Sequence, residues 1–210
     1  MTISVTQLIE LYPEKELVEW QMRDPKKAKQ VSEEALRIGK AVDELVQRQY
    51  RQQPIDVPAN DPPVIQAWEN WQVFLSEYPT FLSYTSGIQE ELTFDSYVGH
   101  PDFRRKLANQ QQRGIDDLKC ASQIRPSHFV QLGGYAWLEM AGLGLPMPDW
   151  LGIIRLNKDR PGYEYLQLNK PEQIQTAIDA WLHYKSLYEL RDTVRGWVRD
   201  YREAEALDGV

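Results

Sequence analysis

A proline-rich segment one quarter of the way along the chain restricts what this sequence can fold into. It reads QQPIDVPANDPP over residues 52–63 and holds four prolines in twelve positions. Proline lacks a backbone N–H and fixes φ, so neither a helix nor a strand can continue through such a segment. The segment therefore divides a helical N-terminal part, residues 1–53, from the rest of the chain.

The hydrophobic spacing follows a helical period before this segment and a strand period later in the chain. Ile38, Val42 and Leu45 recur at the spacing of one helix face. A second helix is predicted directly after the prolines and ends at Pro79. The remaining elements, in chain order, are strands in SGIQEELTF, SYVGHPDFRRKL and RGIDDLKCAS, a helix in PSHFVQLGGYAWLEMAG, a strand pair in WLGIIRLNK and GYEYLQLN, and a closing helix that starts at Pro171. This order predicts an α/β fold with a central mixed β-sheet flanked by helices and an N-terminal helical extension.

Composition limits the class of protein. The chain has 210 residues, 42% of them hydrophobic and 26% charged, which suits one soluble globular domain. No stretch approaches the ~20 apolar residues of a membrane span, and the N-terminus lacks the basic-then-apolar order of a signal peptide, so we expect a cytoplasmic protein with no membrane partner. The single cysteine, Cys120, excludes an internal disulfide and a multi-cysteine metal site. The net charge of −7 argues mildly against a broad nucleic-acid surface, although an acidic metal cleft would itself contribute negative charge.

The chemistry of the chain centres on the short stretch GIDDLKCAS. Side chains alternate faces along a strand, so Asp117 and Lys119 share one face. A carboxylate can bind a hard cation such as Mg²⁺, and a lysine beside it can orient the attacking water or help to deprotonate it. A further carboxylate is required nearby: Asp102 in VGHPDF offers one, and Glu91 in EELTF offers another. A lone D-x-K is usually a solvated strand edge, so the interpretation depends on a wider pattern.

Such a pattern is present between residues 88 and 138. A carboxylate, then G-x-x-D, then D-x-K, then a helix with Q-x-x-x-Y follow one another in EELTFDSYVGHPDF, GIDDLKCAS and HFVQLGGYAWL. This order resembles the PD-(D/E)xK nuclease superfamily, and more narrowly its RecB-like, phage-type exonuclease branch. The resemblance spans most of the chain. It implies one nuclease-like domain over residues 1–210 with a restriction-endonuclease-like core at 64–210, joined to the helical extension by the proline-rich linker at 54–63.

The resemblance also implies a role for each motif residue. The carboxylates would bind Mg²⁺ or Mn²⁺, the lysine would assist the nucleophilic water, and the glutamine and tyrosine would contact the active site or the DNA backbone. The implied metal ligands are Glu91, Asp102 and Asp117, and the other implied catalytic residues are Lys119, Gln131 and Tyr135.

The sequence departs from that family pattern at a few positions. Many members carry G-x-x-x-H on an N-terminal helix, whereas here Asp43 stands four residues after Gly39. Asp43 could replace that histidine as a metal or water contact, but we interpret it as a surface charge. Glu90 is the alternative to Glu91 as the first carboxylate, since the register of the strand is uncertain by one residue. Cys120, where threonine is common, is interpreted as a small buried residue.

Other polar and aromatic residues have plainer interpretations. The histidines at 100 and 128 flank the predicted site and are interpreted as structural. The basic residues of FRRKL, together with Arg113, could grip DNA phosphates or could form a solvated hairpin tip, and the sequence does not decide between these. Five tryptophans at helical spacing are predicted to lie in the core: Trp68, Trp71, Trp137, Trp181 and Trp197.

The sequence therefore predicts a metal-dependent DNA nuclease that hydrolyses phosphodiester bonds, an exonuclease of phage or recombination-repair type. One alternative is a DNA- or protein-binding module with little catalysis, which the intact carboxylates and lysine disfavour. Another is a sequence-specific endonuclease, although no target-reading domain is recognisable. The expected partners are DNA and, by analogy, further copies of the chain or a recombination protein.

Overall fold

The structure is a computed structural model that describes residues 2–107 and 111–208, with side chains up to Arg199. The helices are α1 Val5–Glu10, α2 Lys15–Arg23, α3 Pro25–Tyr50, α4 Pro62–Glu77, α5 Pro126–Leu143 and α6 Pro171–Asp208. The strands are β1 Ile3–Ser4, β2 Thr85–Gly87, β3 Leu92–Phe94, β4 Tyr97–Gly99, β5 Phe103–Lys106, β6 Arg113–Lys119, β7 Trp150–Leu156 and β8 Tyr163–Leu168. None of the helices in these two ranges combines the length and apolar character needed to cross a membrane.

The strands form two sheets of mixed direction. The larger sheet has the order β2-β5-β6-β7-β8, and the smaller one has the order β1-β4-β3. In the larger sheet β6 and β7 run parallel and the other neighbours run antiparallel. In the smaller sheet β1 is parallel to β4, and β3 is antiparallel to it. Mixed sheets flanked by helices confirm the predicted mixed α/β fold.

Two of the predicted strands are each divided in the structure. The stretch SGIQEELTF contains the end of β2 and all of β3, because Gln89 between them has a left-handed backbone with φ 50° that a strand cannot include. The stretch SYVGHPDFRRKL contains β4 and β5, and Pro101 lies between them. Proline cannot donate to a strand ladder, so the pairing stops there.

Helix α3 begins earlier than the hydrophobic spacing predicts. The Asp24 side chain accepts a hydrogen bond from the Lys27 N–H at 3.1 Å, and Pro25 occupies the first turn, where its missing N–H carries no penalty. Both residues favour a helix start before the apolar periodicity is visible. The helix then runs 26 residues to Tyr50, just before the proline-rich segment.

The larger sheet separates two apolar clusters. One cluster joins α1, α5, α6 and the smaller sheet to residues such as Ile115 and Ile153 on one face of the larger sheet. The other joins α3 and α4 to Phe103, Ile154 and Leu156 on the opposite face. Consecutive residues of β7, Ile153 and Ile154, thus belong to different clusters, as strand alternation requires.

Four of the five tryptophans that were predicted to lie in the core do so, and one does not. Trp71 and Trp181 are fully buried, and Trp68 and Trp137 pack against the two clusters. Trp197 is 67% exposed, so the prediction that it lies in the core is wrong. The reason is that α6 is 38 residues long and, between Arg191 and Arg199, contributes no residue to either cluster.

Candidate active site

Strand β6 presents two consecutive carboxylates to opposite faces of the sheet. Asp116 faces the α4 side, and Asp117 faces the α5 side together with Lys119. The Lys119 Nζ atom lies 2.6 Å from Asp117 Oδ2. The structure therefore brings together the aspartate and lysine of the D-x-K motif, as strand alternation predicts.

Asp102 lies directly before β5 and reaches the same place. Its neighbour Phe103 pairs with Asp116 across the two antiparallel strands, which sets Asp102 beside the end of β6. One carboxylate oxygen accepts the Leu118 backbone N–H at 2.7 Å, and the other accepts the Gln89 side-chain amide at 3.4 Å. The carboxylate of Asp102 is thereby fixed next to that of Asp117.

Helix α5 supplies the two remaining motif residues. Lys119 donates to Gln131 Oε1 at 3.0 Å, and Gln131 Nε2 donates to the Tyr135 hydroxyl at 2.7 Å and to Thr6 Oγ1 at 3.1 Å. Gln131 and Tyr135 lie one turn apart on one face of α5, which is why they meet. The lysine ammonium is therefore held between the strand and the helix.

Helix α3 closes the opposite side of the site. A cavity of about 340 Å³ is lined by Asp102, Asp117, Lys119 and the two α5 residues, together with Asp43 and Gly39 of α3. Asp43 accepts hydrogen bonds from the side-chain amides of Gln47 and Gln89. The structure thus places Asp43 at the site, which contradicts its interpretation as a surface charge. Its position four residues after a glycine was the sequence signal for this.

The glutamate expected from the motif lies elsewhere. The Glu91 side chain is 63% exposed, and its carboxylate lies 3.8 Å from the His100 ring. The alternative, Glu90, forms an ion pair with Arg104 at 2.7 Å. Neither residue lines the cavity. The residue of this segment that does contact the acidic groups is Gln89, which the sequence analysis did not single out.

The surroundings of the site raise the pKa of two of its carboxyl groups, those of Asp102 and Asp43. Burial and then repulsion from Asp117 raise the pKa of Asp102 well above its usual value. Burial also raises the pKa of Asp43, with the bonds from Gln89 and Gln47 acting against it and Asp117 adding to it. Burial alone would lower the pKa of Lys119, but attraction to Asp117 and Asp102 outweighs it and raises the pKa. Lys119 is therefore a firmly charged ammonium ion.

The donor set fits a magnesium ion that keeps several waters. Within the described residues, no three His, Cys, Asp or Glu side chains are grouped closely enough to hold a metal ion between them. Mg²⁺ does not need such a group, because it commonly binds through one or two carboxylates, water and substrate phosphate. Asp117 Oδ2 is buried and, among the described atoms, accepts no hydrogen bond, despite its contact with Lys119. That oxygen and the weakly bonded oxygen of Asp102 could ligate a hard cation.

The basic residues near the site are engaged in ion pairs within the protein. Arg104 and Arg113 both contact the buried Glu139, and Arg105 lies 3.2 Å from the fully buried Asp116. These three arginines are therefore neither solvated at a hairpin tip nor free to bind phosphate. They neutralise the buried carboxylates of Asp116 on β6 and Glu139 on α5.

The histidine and cysteine beside the site have structural surroundings. His128 Nδ1 accepts the Arg125 backbone N–H at 3.2 Å and closes the start of α5. Burial and repulsion from Lys119 lower its pKa to about 4, so the ring is neutral near pH 7. Cys120 is buried, and burial raises the pKa of its thiol to about 12, which disfavours the reactive thiolate.

Comparison with known proteins gives matches in structure only. No family model and no curated protein sequence matches this chain. Similar solved structures include SSO0001, with 14% identity, a TM-score of 0.39 and coverage of 89% of this chain and 75% of that one. They also include the alkaline exonuclease LHK-Exo from Laribacter hongkongensis, with 12% identity, a TM-score of 0.37 and coverage of 94% of each chain. The complex of LHK-Exo with dAMP gives the same identity and coverage and a TM-score of 0.39. At these values the matches do not establish a family for this chain.

Proposed function

We propose that this chain is a metal-dependent nuclease that hydrolyses phosphodiester bonds in DNA and acts as an exonuclease. The observation that carries the proposal is the convergence of Asp102, Asp117 and the charged Lys119 on one cavity. Two carboxylates that can ligate a divalent cation, beside a fixed ammonium, are groups that can support metal-assisted hydrolysis of a phosphodiester. The motif resemblance adds DNA as the substrate and a role of phage or recombination-repair type.

Asp102 and Asp117 would hold Mg²⁺ or Mn²⁺. When bound, such an ion would lower the pKa of a coordinated water and polarise the scissile phosphate. Asp102 is oriented for this by the Leu118 N–H, and Asp117 is oriented by its place on β6. Glu91 stays a prediction from the sequence, because its carboxylate contacts His100 instead of the cavity.

Lys119 is assigned to orientation and charge neutralisation. Its acidic partners favour the protonated ammonium, so it is a poor acceptor for a proton from water. An ammonium in this position can attract the scissile phosphate and offset the negative charge that develops on it. Gln131 holds the Lys119 Nζ at 3.0 Å and links it to Tyr135, so these α5 residues set where the charge lies.

The test is cleavage of matched linear and circular DNA with Mg²⁺, with Mn²⁺ or with EDTA. We expect metal-dependent loss of the linear form alone, and loss of that activity in Lys119→Ala. The control is Lys15→Ala, since that side chain is 84% exposed in an α2 ion pair. Cleavage that survives EDTA or is undiminished in Lys119→Ala would contradict the proposal.

Other outcomes of this test separate the alternatives. Cutting of circular DNA would indicate an endonuclease. Cleavage of RNA alone would keep the metal centre and change the substrate. Binding of Mg²⁺ and DNA without cleavage under any condition would indicate a binding module on this fold.

A further inference from the structure

Gln89 adopts a backbone conformation that a glutamine rarely takes. Its φ is 50°, in the left-handed region, which favours glycine and asparagine because a larger side chain crowds the backbone there. The conformation is held by its backbone N–H, which donates to the carbonyl oxygens of Pro101 at 3.0 Å and Asp102 at 3.4 Å. Strained residues of this kind cluster at functional sites, where surrounding contacts maintain them.

The strained backbone directs the Gln89 side chain between two carboxylates. Its Nε2 donates to Asp43 Oδ2 at 2.5 Å and makes a longer contact with Asp102 Oδ1 at 3.4 Å. Its Oε1 accepts from Gln47 Nε2 at 2.8 Å, and Gln47 also donates to Asp43 at 3.1 Å. One amide thus joins helix α3 to Asp102, the residue directly before β5.

A neutral amide suits this place better than a glutamate would. Two carboxylates that face one cavity repel each other, and a side chain that donates to both reduces that repulsion. A third carboxylate in the same position would increase it. The amide also fixes the direction of the remaining lone pairs, as hydrogen-bonding partners outside a metal's own ligands commonly do.

We propose that Gln89 is a positioning residue that holds Asp43 and Asp102 together, and that Asp43 thereby adds its negative charge to the divalent-cation site formed by Asp102 and Asp117. This inference rests on the proposed function, because it concerns the same cavity. It places at Asp43 the negative charge that the motif gave to Glu91, with Gln89 as the residue that holds Asp43 in position. Gln89 itself acts through the two aspartates.

The test is the affinity for Mg²⁺ alone, measured by calorimetry and by the rise in melting temperature with added Mg²⁺. The variant is Gln89→Gly, which removes the amide while relieving the left-handed backbone, so the fold is expected to survive. We expect the Kd for Mg²⁺ to rise at least about tenfold, in the range seen when such positioning bonds are lost. The matched control is Gln52→Gly, another glutamine with a left-handed backbone, φ 54°, at the end of α3. It should keep the affinity of the original chain.

A double variant tests whether Gln89 acts through Asp43. If it does, Asp43→Asn combined with Gln89→Gly should weaken Mg²⁺ binding no more than Asp43→Asn alone. Unchanged affinity in Gln89→Gly would overturn the proposal, as would a loss in Glu91→Ala without one in Gln89→Gly. The result is independent of cleavage: Gln89-dependent Mg²⁺ binding in a protein that cuts no DNA would support this inference while contradicting the nuclease proposal.

Discussion

The metal-binding role proposed for Asp102 conflicts with the stability of the folded protein. Burial and Asp117 raise its pKa, so the ionised form is less favourable in the folded protein than in the unfolded chain. We expect Asp102→Asn to raise the melting temperature of the metal-free protein at pH 7 by a few degrees, roughly the effect of 1 kcal/mol. Asparagine can still accept the Leu118 N–H, so the hydrogen bond is kept. The measurement is calorimetry in EDTA.

Because folding raises the pKa of Asp102, the gain in stability from Asp102→Asn depends on pH in one direction only. The folded pKa of Asp102 lies above the unfolded value, so its unfavourable contribution appears as the pH rises above about 4 and is absent below that. The advantage of Asp102→Asn should therefore vanish in acid. The same variant should lose both DNA cleavage and stabilisation by Mg²⁺. A melting temperature below that of the original chain at pH 7 would contradict the prediction.

His128 gives the opposite pH dependence. Its pKa falls from about 6.5 in the unfolded chain to about 4 in the folded protein. Its contribution to stability is present above pH 6.5 and is lost as the pH falls towards 4, because the unfolded chain takes up the proton first. We expect His128→Gln to reduce the loss of stability between pH 7.5 and 4.5 by about 1–3 kcal/mol. Urea unfolding at the two pH values measures this.

Glutamine is the suitable replacement because it can accept the Arg125 N–H from the third position of the helix. The aspartates also change the stability with pH, but they do so equally in the original chain and in His128→Gln, so their contribution cancels in the comparison. An identical pH dependence in the variant would show that His128 does not titrate as inferred.

At the scale of residues, the sequence predicts which side chains lie together when they belong to one regular strand or helix. Asp117 and Lys119 share a face through strand alternation, and Gln131 and Tyr135, which the family resemblance implies, share a face through helix spacing. Gln89 could not be found in this way, because nothing in a non-glycine sequence marks a left-handed backbone. The placement of Glu91 away from the cavity follows from the same irregular turn.

At the scale of elements, helix α5 depends on a close crossing with α6. A Cβ atom on Gly133 would lie 2.2 Å from the backbone oxygen of Ala177, which cannot move aside without shifting α6. We expect Gly133→Ala to lower the free energy of unfolding by about 2–3 kcal/mol, the usual result of overpacking. Equilibrium unfolding in urea gives the value.

Gly39 of α3 is the matched control for this substitution. No described atom lies within 4 Å of a Cβ at that position, apart from the helix's own nearby backbone. Gly39→Ala should therefore raise the free energy of unfolding, by at most about 1 kcal/mol, through helix propensity. Equal effects of the two alanines would indicate that the crossing is looser than described.

The helices and strands could be predicted where the apolar residues follow a single helical or strand spacing. The sequence identifies α4, α5 and the antiparallel pair β7–β8 with little change of bounds. It joins β2 to β3 and β4 to β5, because the apolar pattern continues across the turn at Gln89 and the break at Pro101. The parallel pairing of β6 with β7 depends on contacts distant in sequence, which no local pattern contains.

At the scale of the whole molecule, the N-terminal helices belong to the core. Ile38, Val42 and Val46 of α3 are fully buried, in the same cluster as Trp71 and Phe74 of α4. Each such side chain contributes about 1.5–3 kcal/mol, and a domain has only about 5–15 kcal/mol of net stability.

We therefore expect deletion of residues 1–53 to prevent folding, seen as loss of near-UV circular dichroism and as binding of a hydrophobic dye. A chain that ends at residue 199 is the control and should fold, since the side chains of Trp197 and Val198 are already exposed. A folded, cooperative product after the N-terminal deletion would show that the first 53 residues are a true appendage, as the proline-rich segment suggests.

The consecutive aspartates of β6 have a consequence for how the chain reaches its native state. If β6 slipped by one residue, each of its side chains would turn to the other face, so Asp117 and Lys119 would leave the cavity and Asp116 would leave Arg105. Volume disfavours the slip as well: the Trp150 ring lies 2.0 Å from where a Cβ on Gly114 would stand, and Asp116 Oδ1 lies 2.0 Å from that point on Gly152. Charge pairing and the two glycines thus select together the register that turns Asp117 towards the cavity. During folding, a slipped strand would be destabilised twice, by lost ion pairs and by collision with the Trp150 ring.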